Sequence, residues 1–178
     1  MLLPNFADIE KAHKIIQKYA HRTPVLTSSA VNNITGGNLF FKCENFQKVG
    51  AFKFRGATNA VFSLSEEDSK KGVATHSSGN HAAALALAAQ LRGIPAHIVM
   101  PENSPEIKKK AVAGYGAKIT FCKPTLQARE QTLTKVVEET GATEIHPYNN
   151  FFVIAGQGTA AKELIEDERD FDLIIAPV

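Results

Sequence analysis

The fold of this chain is indicated most strongly by residues 72–101, which read GVATHSSGNHAAALALAAQLRGIPAHIVMP. Two short runs, Gly72–Thr75 and Ala96–Met100, have the composition of buried strands. Between them, Ser77–Asn80 predicts a loop and the alanine-rich stretch His81–Leu91 predicts a helix. A strand, a helix and a second strand in this order indicate parallel strands joined by a right-handed crossover.

The same alternation extends along the chain in both directions. Downstream, the patterns predict a helix Pro105–Ala113, a strand Lys118–Cys122, a helix Thr125–Thr140, a strand Thr143–His146, a helix Phe151–Asp167 and a final buried strand Asp172–Val178. Upstream, they predict a helix Phe6–Ala20, a strand Asn38–Phe46, a turn over residues 48–56, a helix Ala57–Leu64 and a capped helix start at Ser65 that stops at Gly72. The chain is therefore predicted to be an α/β protein.

Composition argues against several classes of function. The 178 residues carry 20 basic and 18 acidic side chains, a balance too even to indicate nucleic acid or an anionic membrane surface as a partner. The longest uncharged apolar run, Ala82–Ala89, is far shorter than the roughly 20 residues that span a bilayer. The first residues also lack the pattern of a targeting segment. We expect a small-molecule partner, no membrane and no nucleic acid.

The two cysteines give no sign of a disulfide framework or a zinc site. Cys43 and Cys122 are far apart in the sequence and lack the CxxC spacing of metal sites. This usage fits a reducing compartment, so we expect a cytoplasmic protein.

Lys53 is a candidate nucleophile. It is flanked by Phe52 and Phe54, with Gly50 and Gly56 on either side, at a predicted strand-to-helix turn. An amine held among aromatic rings is partly desolvated, which lowers its pKa and makes it a better Schiff-base nucleophile. Simple strand alternation, with the lysine in water, explains these residues as well.

The segment Ser77–His81 is a candidate anion site. It lies between a predicted strand and a predicted helix, where free backbone N–H groups and the helix dipole favour a carboxylate. An ordinary helix cap is the alternative, because Ser and Asn are preferred at that position.

Other motifs give weaker signals. His76 and His81 are five residues apart without an interleaved carboxylate, which does not match a helical zinc pair. Gly156–Thr159 resembles a phosphate loop but lies inside a helical pattern. The basic run Lys108–Lys110 is typical of a solvated helix face. We therefore expect no metal site in this chain.

Four ordered blocks together carry a family resemblance: Phe41–Gln47, Gly50–Ala57, Ser77–Ala82 and Ala155–Thr159. Their order and spacing resemble those of the serine racemase and serine/threonine dehydratase family of pyridoxal-phosphate (PLP) enzymes. The resemblance implies PLP fold type II, the tryptophan synthase β-like fold. This fold has parallel and mixed sheets with helices on both faces.

The resemblance also implies a division into domains. Residues 1–71 and 151–178 would belong to the large PLP domain, and residues 72–150 would form the small α/β domain. The family continues beyond Val178 into a glycine-rich loop for the PLP phosphate and into the carboxylates that bind a divalent metal. On this basis the large domain is expected to be incomplete here, and the 178-residue chain alone is expected to be inactive.

The resemblance assigns roles to residues by position. Lys53 matches the lysine that carries PLP, Phe52 a residue beside the ring, and Asn80 the residue that bonds the ring hydroxyl. Ser77, Ser78, Gly79, Asn80 and His81 match the loop that binds the substrate carboxylate. Ser78 matches the serine that faces the substrate opposite the lysine, where threonine dehydratases of similar type usually carry Ala.

The implied activity is the interconversion of L- and D-serine, with dehydration of serine to pyruvate and ammonia. A base on each face of the α-carbon permits inversion, whereas elimination needs only Lys53. An L-serine/L-threonine dehydratase, a catalytically incompetent fragment and, third, a cysteine-synthase-like enzyme stay open as alternatives. Ala51, where the family often has Ser, and Tyr148, where animal racemases have Asn, depart from the pattern.

Activators and assembly are also implied by resemblance alone. Ser28 and Ser29 lie in a stretch similar to the ATP-contacting region at the dimer interface of the racemases. A simple turn explains these two serines equally well. The family further implies Mg²⁺ as an activator, with its ligands beyond Val178, and a homodimer.

Overall fold

The computed structural model describes residues 2–176. Within them the helices are α1 (Phe6–Ile16), α2 (Ser29–Thr35), α3 (Lys53–Phe62), α4 (Glu66–Lys71), α5 (Asn80–Arg92), α6 (Glu106–Gly114), α7 (Leu126–Thr140) and α8 (Phe151–Asp167). The strands are β1 (Val25–Thr27), β2 (Phe40–Lys42), β3 (Val73–His76), β4 (Ala96–Pro101), β5 (Lys118–Cys122) and β6 (Thr143–Glu144). Two short 3₁₀ turns, Glu44–Phe46 and Lys48–Gly50, join β2 to α3.

The main sheet has the strand order β5-β4-β3-β6, and all its neighbouring strands are parallel. Successive side chains of a strand point to opposite faces. Accordingly Val73 packs in the core that contains α5, whereas Ala74 packs with Leu133 and Val136 of α7 on the other face. The prediction of an α/β fold with a parallel sheet covered on both faces is confirmed.

Helix α5 is buried on most of its sides because it packs between the sheet and other helices. Its alanines and Leu85 are almost all inaccessible to solvent, and it contacts α3, α6 and β4. Apolar residues around the whole circumference of a helix are typical of such a central position. Phe54 and Val61 of α3 share this core. The division into domains at residues 72 and 150 stays a prediction.

Helices α3 and α8 cross at two glycines. A Cβ atom added to Gly156 would lie 2.6 Å from Gly56 Cα and 2.7 Å from the Arg55 carbonyl oxygen. Beside the crossing, Asn59 donates a side-chain hydrogen bond of 2.8 Å to the carbonyl of Phe152. The block Gly156–Thr159 therefore serves helix packing, as its position inside a helical pattern indicates.

Three predicted boundaries were wrong near the N-terminal side of the sheet. Helix α1 ends at Ile16 rather than Ala20, because the chain turns there and Tyr19 stacks on Phe62 with ring centroids 4.2 Å apart. Helix α3 begins at Lys53 rather than Ala57, because Phe52 already has helical dihedral angles. The strand predicted over residues 38–46 shrinks to β2, which pairs with the unpredicted strand β1.

The predicted final buried strand was also wrong within residues 172–176. This segment contains no strand, and its side chains are exposed. A strand needs a neighbour to pair its backbone groups, and the described part of the chain places none beside it. Pro177 and Val178, the end of that predicted strand, lie outside the described residues.

Candidate functional site around Lys53

Lys53 is the first residue of α3, and its amine is partly removed from water. Lys53 Nζ donates a hydrogen bond of 3.0 Å to the carbonyl oxygen of Pro147 and lies 5.1 Å from the ring centroid of Phe52. Burial lowers the pKa of Lys53 from its ordinary value. A larger fraction of the amine is therefore uncharged near neutral pH, which is the form that reacts with an aldehyde.

Lys53 opens into a cavity of about 650 Å³. The walls are aromatic and apolar with one amide, and are formed by Phe52, Pro147, Tyr148, Val153, Ile154 and Gln157. A nucleophilic amine beside a mainly apolar cavity of this size fits an aromatic aldehyde such as PLP. The residues present are thus compatible with the cofactor that the resemblance implies.

The segment Ser77–His81 follows β3 and leads into α5 at the carboxyl edge of the parallel sheet. Such edges are the usual ligand-binding sites of open α/β sheets. The backbone N–H of Ser77 is already bonded to the carbonyl of Val99 at 3.1 Å. Gly79 is the N-cap, and α5 begins at Asn80 without a side-chain cap. The ordinary Ser or Asn cap considered from the sequence is therefore absent here, although Ser77 Oγ accepts a hydrogen bond of 3.3 Å from the backbone N–H of Gly79.

The five residues of this segment differ in exposure. Ser77, Ser78 and Gly79 are half-buried, Asn80 is exposed and His81 is buried. His81 Nε2 lies 3.1 Å from the carbonyl oxygen of Ile145. Burial, with a smaller contribution from the charge of Lys53, lowers the pKa of His81 to about 4. His81 is therefore neutral at pH 7 and, as a donor at Nε2, serves to hold the loop.

The sequence did not single out the segment 145–149, which links the two candidate motifs. Its Ile145 carbonyl contacts His81 and its Pro147 carbonyl contacts Lys53. Tyr148, noted in the sequence only as a departure, lines the cavity. No local pattern marks Ile145 and Pro147, because each of them makes its contact through a backbone carbonyl.

A buried ion network behind Lys53 was also missed. The guanidinium of Arg55, two residues after Lys53, bonds both carboxylate oxygens of Glu163 at 2.8 Å and both of Glu44 at 2.8 Å. Lys42 Nζ adds a contact of 2.9 Å to Glu163. Burial opposes ionisation of Glu163, but the hydrogen bonds from Arg55 and Lys42 outweigh it and hold its pKa below the usual value. The network ties α3 to β2 and α8.

Ser28 and Ser29 are not among the residues that line the cavity beside Lys53. Ser28 Oγ accepts from the backbone N–H of Val31 and caps α2, which Ser29 begins. Ser29 is exposed. Among residues 2–176, no group of three His, Cys, Asp or Glu side chains could hold a metal ion. None of the helices in this range combines the length and the hydrophobicity of a membrane span.

Comparison with known families agrees with this geometry. The family model described as pyridoxal-phosphate dependent enzyme matches residues 16–178, which is most of the chain. The chain belongs to this family. The match includes Lys53, the Ser77–His81 segment and the segment 145–149, so it covers every side chain that lines the cavity.

Individual relatives are similar along the whole chain. A beta-hydroxyaspartate dehydratase from Paracoccus denitrificans (strain Pd 1222) is 54% identical over 178 residues, which are 100% of this chain and 56% of that protein. A serine racemase from Dictyostelium discoideum is 53% identical over 96% of this chain and 53% of its own length. The structure of maize serine racemase superposes with a TM-score of 0.92 at 51% identity, covering 93% of this chain and 50% of that one.

The chain thus spans about half the length of the curated relatives that it matches. The superposition confirms the PLP fold-type II architecture for this half.

Proposed function

We propose that this chain contributes the lysine-bearing half of the active site of a serine racemase that also dehydrates serine to pyruvate and ammonia. The observation that carries the proposal is the partly desolvated Lys53 amine, which opens into the apolar cavity and shares the segment 145–147 with the Ser77–His81 loop. The similarity to serine racemases over nearly the whole chain supports the choice of reaction.

Two residues that line the cavity, Phe52 and Lys53, and Asn80 of the Ser77–His81 segment have distinct proposed tasks toward PLP. Lys53 would hold the cofactor covalently, Phe52 would lie beside its ring, and Asn80 would bond the ring hydroxyl. When bound, PLP supplies an electron sink that acidifies the α-proton of an amino acid. The mainly apolar walls partly shield the Lys53 amine from water, and this burial lowers its pKa and favours its neutral form.

The residues that meet the substrate would act on opposite sides of its α-carbon. Ser77, Ser78, Gly79, Asn80 and His81 would hold the α-carboxylate at the uncapped start of α5. Lys53, once the amine of the substrate has replaced it on the cofactor, would remove or return the proton on one face, and the hydroxyl of Ser78 would do so on the other. Proton removal on one face with return on the other inverts the centre, whereas elimination of the β-hydroxyl requires Lys53 alone when L-serine is the substrate.

Replacement of Ser78 by Ala in the complete enzyme distinguishes racemisation of serine from its dehydration. We expect the variant to lose formation of D-serine while it keeps a substantial part of pyruvate formation from L-serine. Elimination from D-serine should also fail, because its α-proton faces the Ser78 side. Chiral chromatography and a pyruvate assay on both enantiomers measure these rates. Ser63→Ala, which removes another half-buried hydroxyl away from the loop, is the control.

If Ser78→Ala racemises serine at nearly the original rate, Ser78 is not the second base. The dehydratase alternative then replaces the racemase.

A dehydratase of β-hydroxy amino acids is the second candidate function. The observation that favours it is the beta-hydroxyaspartate dehydratase from Paracoccus denitrificans, which is 54% identical to this chain. Comparing product formation from L-serine, L-threonine and β-hydroxyaspartate distinguishes the candidates. Faster elimination from threonine or β-hydroxyaspartate, with no D-serine formed, would support the dehydratase.

Activation by ATP and Mg²⁺, a homodimer and a cytoplasmic location are proposed from the family resemblance. Of the two serines considered for ATP, Ser29 has the exposed side chain, whereas Ser28 Oγ already caps α2. Activity titrations with ATP and Mg²⁺, together with sedimentation of the full chain, test the activators and the assembly.

A further inference from the structure

His146 closes a turn through its side chain. Its Nδ1 accepts a hydrogen bond of 2.9 Å from the backbone N–H of Asn149, and the N–H of Tyr148 also points to it at 3.4 Å. A ring nitrogen that accepts from two N–H groups carries no proton, so the proton of the neutral ring is on Nε2. The imidazole nitrogen accepts backbone hydrogen bonds here, as the side-chain oxygen of Asp or Asn does in an Asx-turn.

The turn lies between two fixed points. On its N-terminal side, the N–H of Ile145 bonds the carbonyl of Ala74 at 2.8 Å, which anchors the segment on β3. On its C-terminal side, Asn150 caps α8 through its side chain. Pro147, inside the turn, has its φ angle restricted by its ring. With both ends held, closure at His146 sets the direction of the Pro147 carbonyl.

That carbonyl is the hydrogen-bond partner of Lys53, at 3.0 Å from Nζ. Within residues 2–176, the contacts of the Lys53 amine are this hydrogen bond and the Phe52 ring, so the Pro147 carbonyl is its hydrogen-bond acceptor at the cavity. The His146 ring packs at 90° to that of Tyr148, with centroids 4.4 Å apart, and Tyr148 forms another wall of the cavity.

We propose that His146 is a positioning residue for Lys53, acting through the turn that aims the Pro147 carbonyl at the lysine amine. The inference rests on the proposed role of Lys53 and deepens it, because it names what places the amine before the cofactor arrives. It does not depend on which amino acid is the substrate.

Acetylation of Lys53 in the cofactor-free full chain tests the proposal without using catalysis. Acetic anhydride reacts with neutral amines, so the labelling of each lysine against pH, resolved by peptide mass spectrometry, reports the pKa of that amine. Measurement between pH 7.5 and 11 keeps clear of ordinary imidazole titration. The exposed Lys135 on α7 corrects for changes in the reagent.

His146→Ala should lower the pH at which Lys53 becomes reactive by about one unit, because a carbonyl acceptor stabilises the charged amine and its loss favours the neutral one. His146→Asn should restore the original profile, since its side-chain oxygen can close the same turn. His97→Ala, a half-buried histidine on β4, should change nothing. If His146→Ala does not fold, His146→Gln replaces it, because its extra methylene carries the acceptor away from the turn.

A Lys53 profile that is unchanged, or that moves to higher pH, in a folded His146→Ala or His146→Gln variant overturns the proposal. Equal profiles for the Asn and Gln variants overturn it as well. These results are separable from a failure of the proposed function. If the proposed function of Lys53 is wrong, borohydride reduction of the PLP-loaded protein will label a different lysine. The acetylation of Lys53 is measured without PLP and does not depend on that result.

Discussion

Replacement of Arg55 by Met tests how strongly the buried ion network holds α3 in place. Arg55 has no solvent exposure, and its guanidinium makes four bonds of 2.8 Å to Glu44 and Glu163. Met keeps much of the side-chain volume but removes the charge. Glu163, whose side chain is 5% exposed, would then keep Lys42 at 2.9 Å and the His13 ring, whose pKa is lowered by burial, at 4.0 Å.

The expected loss in the free energy of unfolding follows from this geometry. Removing one member of a buried ion pair leaves an uncompensated charge and costs about 3–5 kcal/mol. Arg22→Met is the matched control, because Arg22 also pairs with two carboxylates, Glu166 and Asp167, but its side chain is 48% exposed. Exposed pairs contribute about 0–1 kcal/mol. Urea unfolding followed by circular dichroism measures both variants.

A second substitution identifies the cause of the loss. Glu163→Gln removes the stranded charge, so the double variant Arg55→Met/Glu163→Gln should be less destabilised than the sum of the two single variants. The reasoning is refuted if Arg55→Met costs no more than Arg22→Met, or if the two single losses simply add. Either result would mean that water or rearrangement compensates Glu163.

Three further predictions address the lysine, the helix crossing and the buried histidine. Lys53→Ala should abolish PLP absorbance and turnover in the full chain, and borohydride-reduced PLP found on another lysine would contradict this. Gly156→Ala should destabilise the protein by about 1–3 kcal/mol in urea unfolding, because the new Cβ meets the backbone of Gly56 at 2.6 Å. Gly114→Ala, with nothing within 4 Å, should not. Because the pKa of His81 is about 4 when folded and near 6.5 when unfolded, the unfolded state binds the extra proton as pH falls. The contribution of His81 to the free energy of unfolding should therefore decrease by roughly 3 kcal/mol from pH 6.5 to 4, and a folded His81→Asn variant whose stability falls as much as that of the original protein would count against this.

The sequence by itself determined the central α/β order. Strand β5 and helix α8 have the bounds that were predicted, and the other predicted strands and helices from residue 72 to residue 150 begin or end within two or three residues of the structure. Hydrophobic periodicity and capping residues act within a few neighbouring positions, so a single sequence reveals them. The four motif blocks, including Lys53, likewise identified the family.

Only the tertiary structure decided which distant groups meet. Arg55 pairs with Glu163 across 108 positions, and Lys53 meets the Pro147 carbonyl across 94. The segment Asp172–Ala176 has the apolar composition of a strand but forms none among the described residues, because a strand requires a partner beside it. Such pairings depend on which distant segments the fold brings together. Every residue type carries a backbone carbonyl, so the sequence does not indicate that the carbonyl of Pro147 has a role.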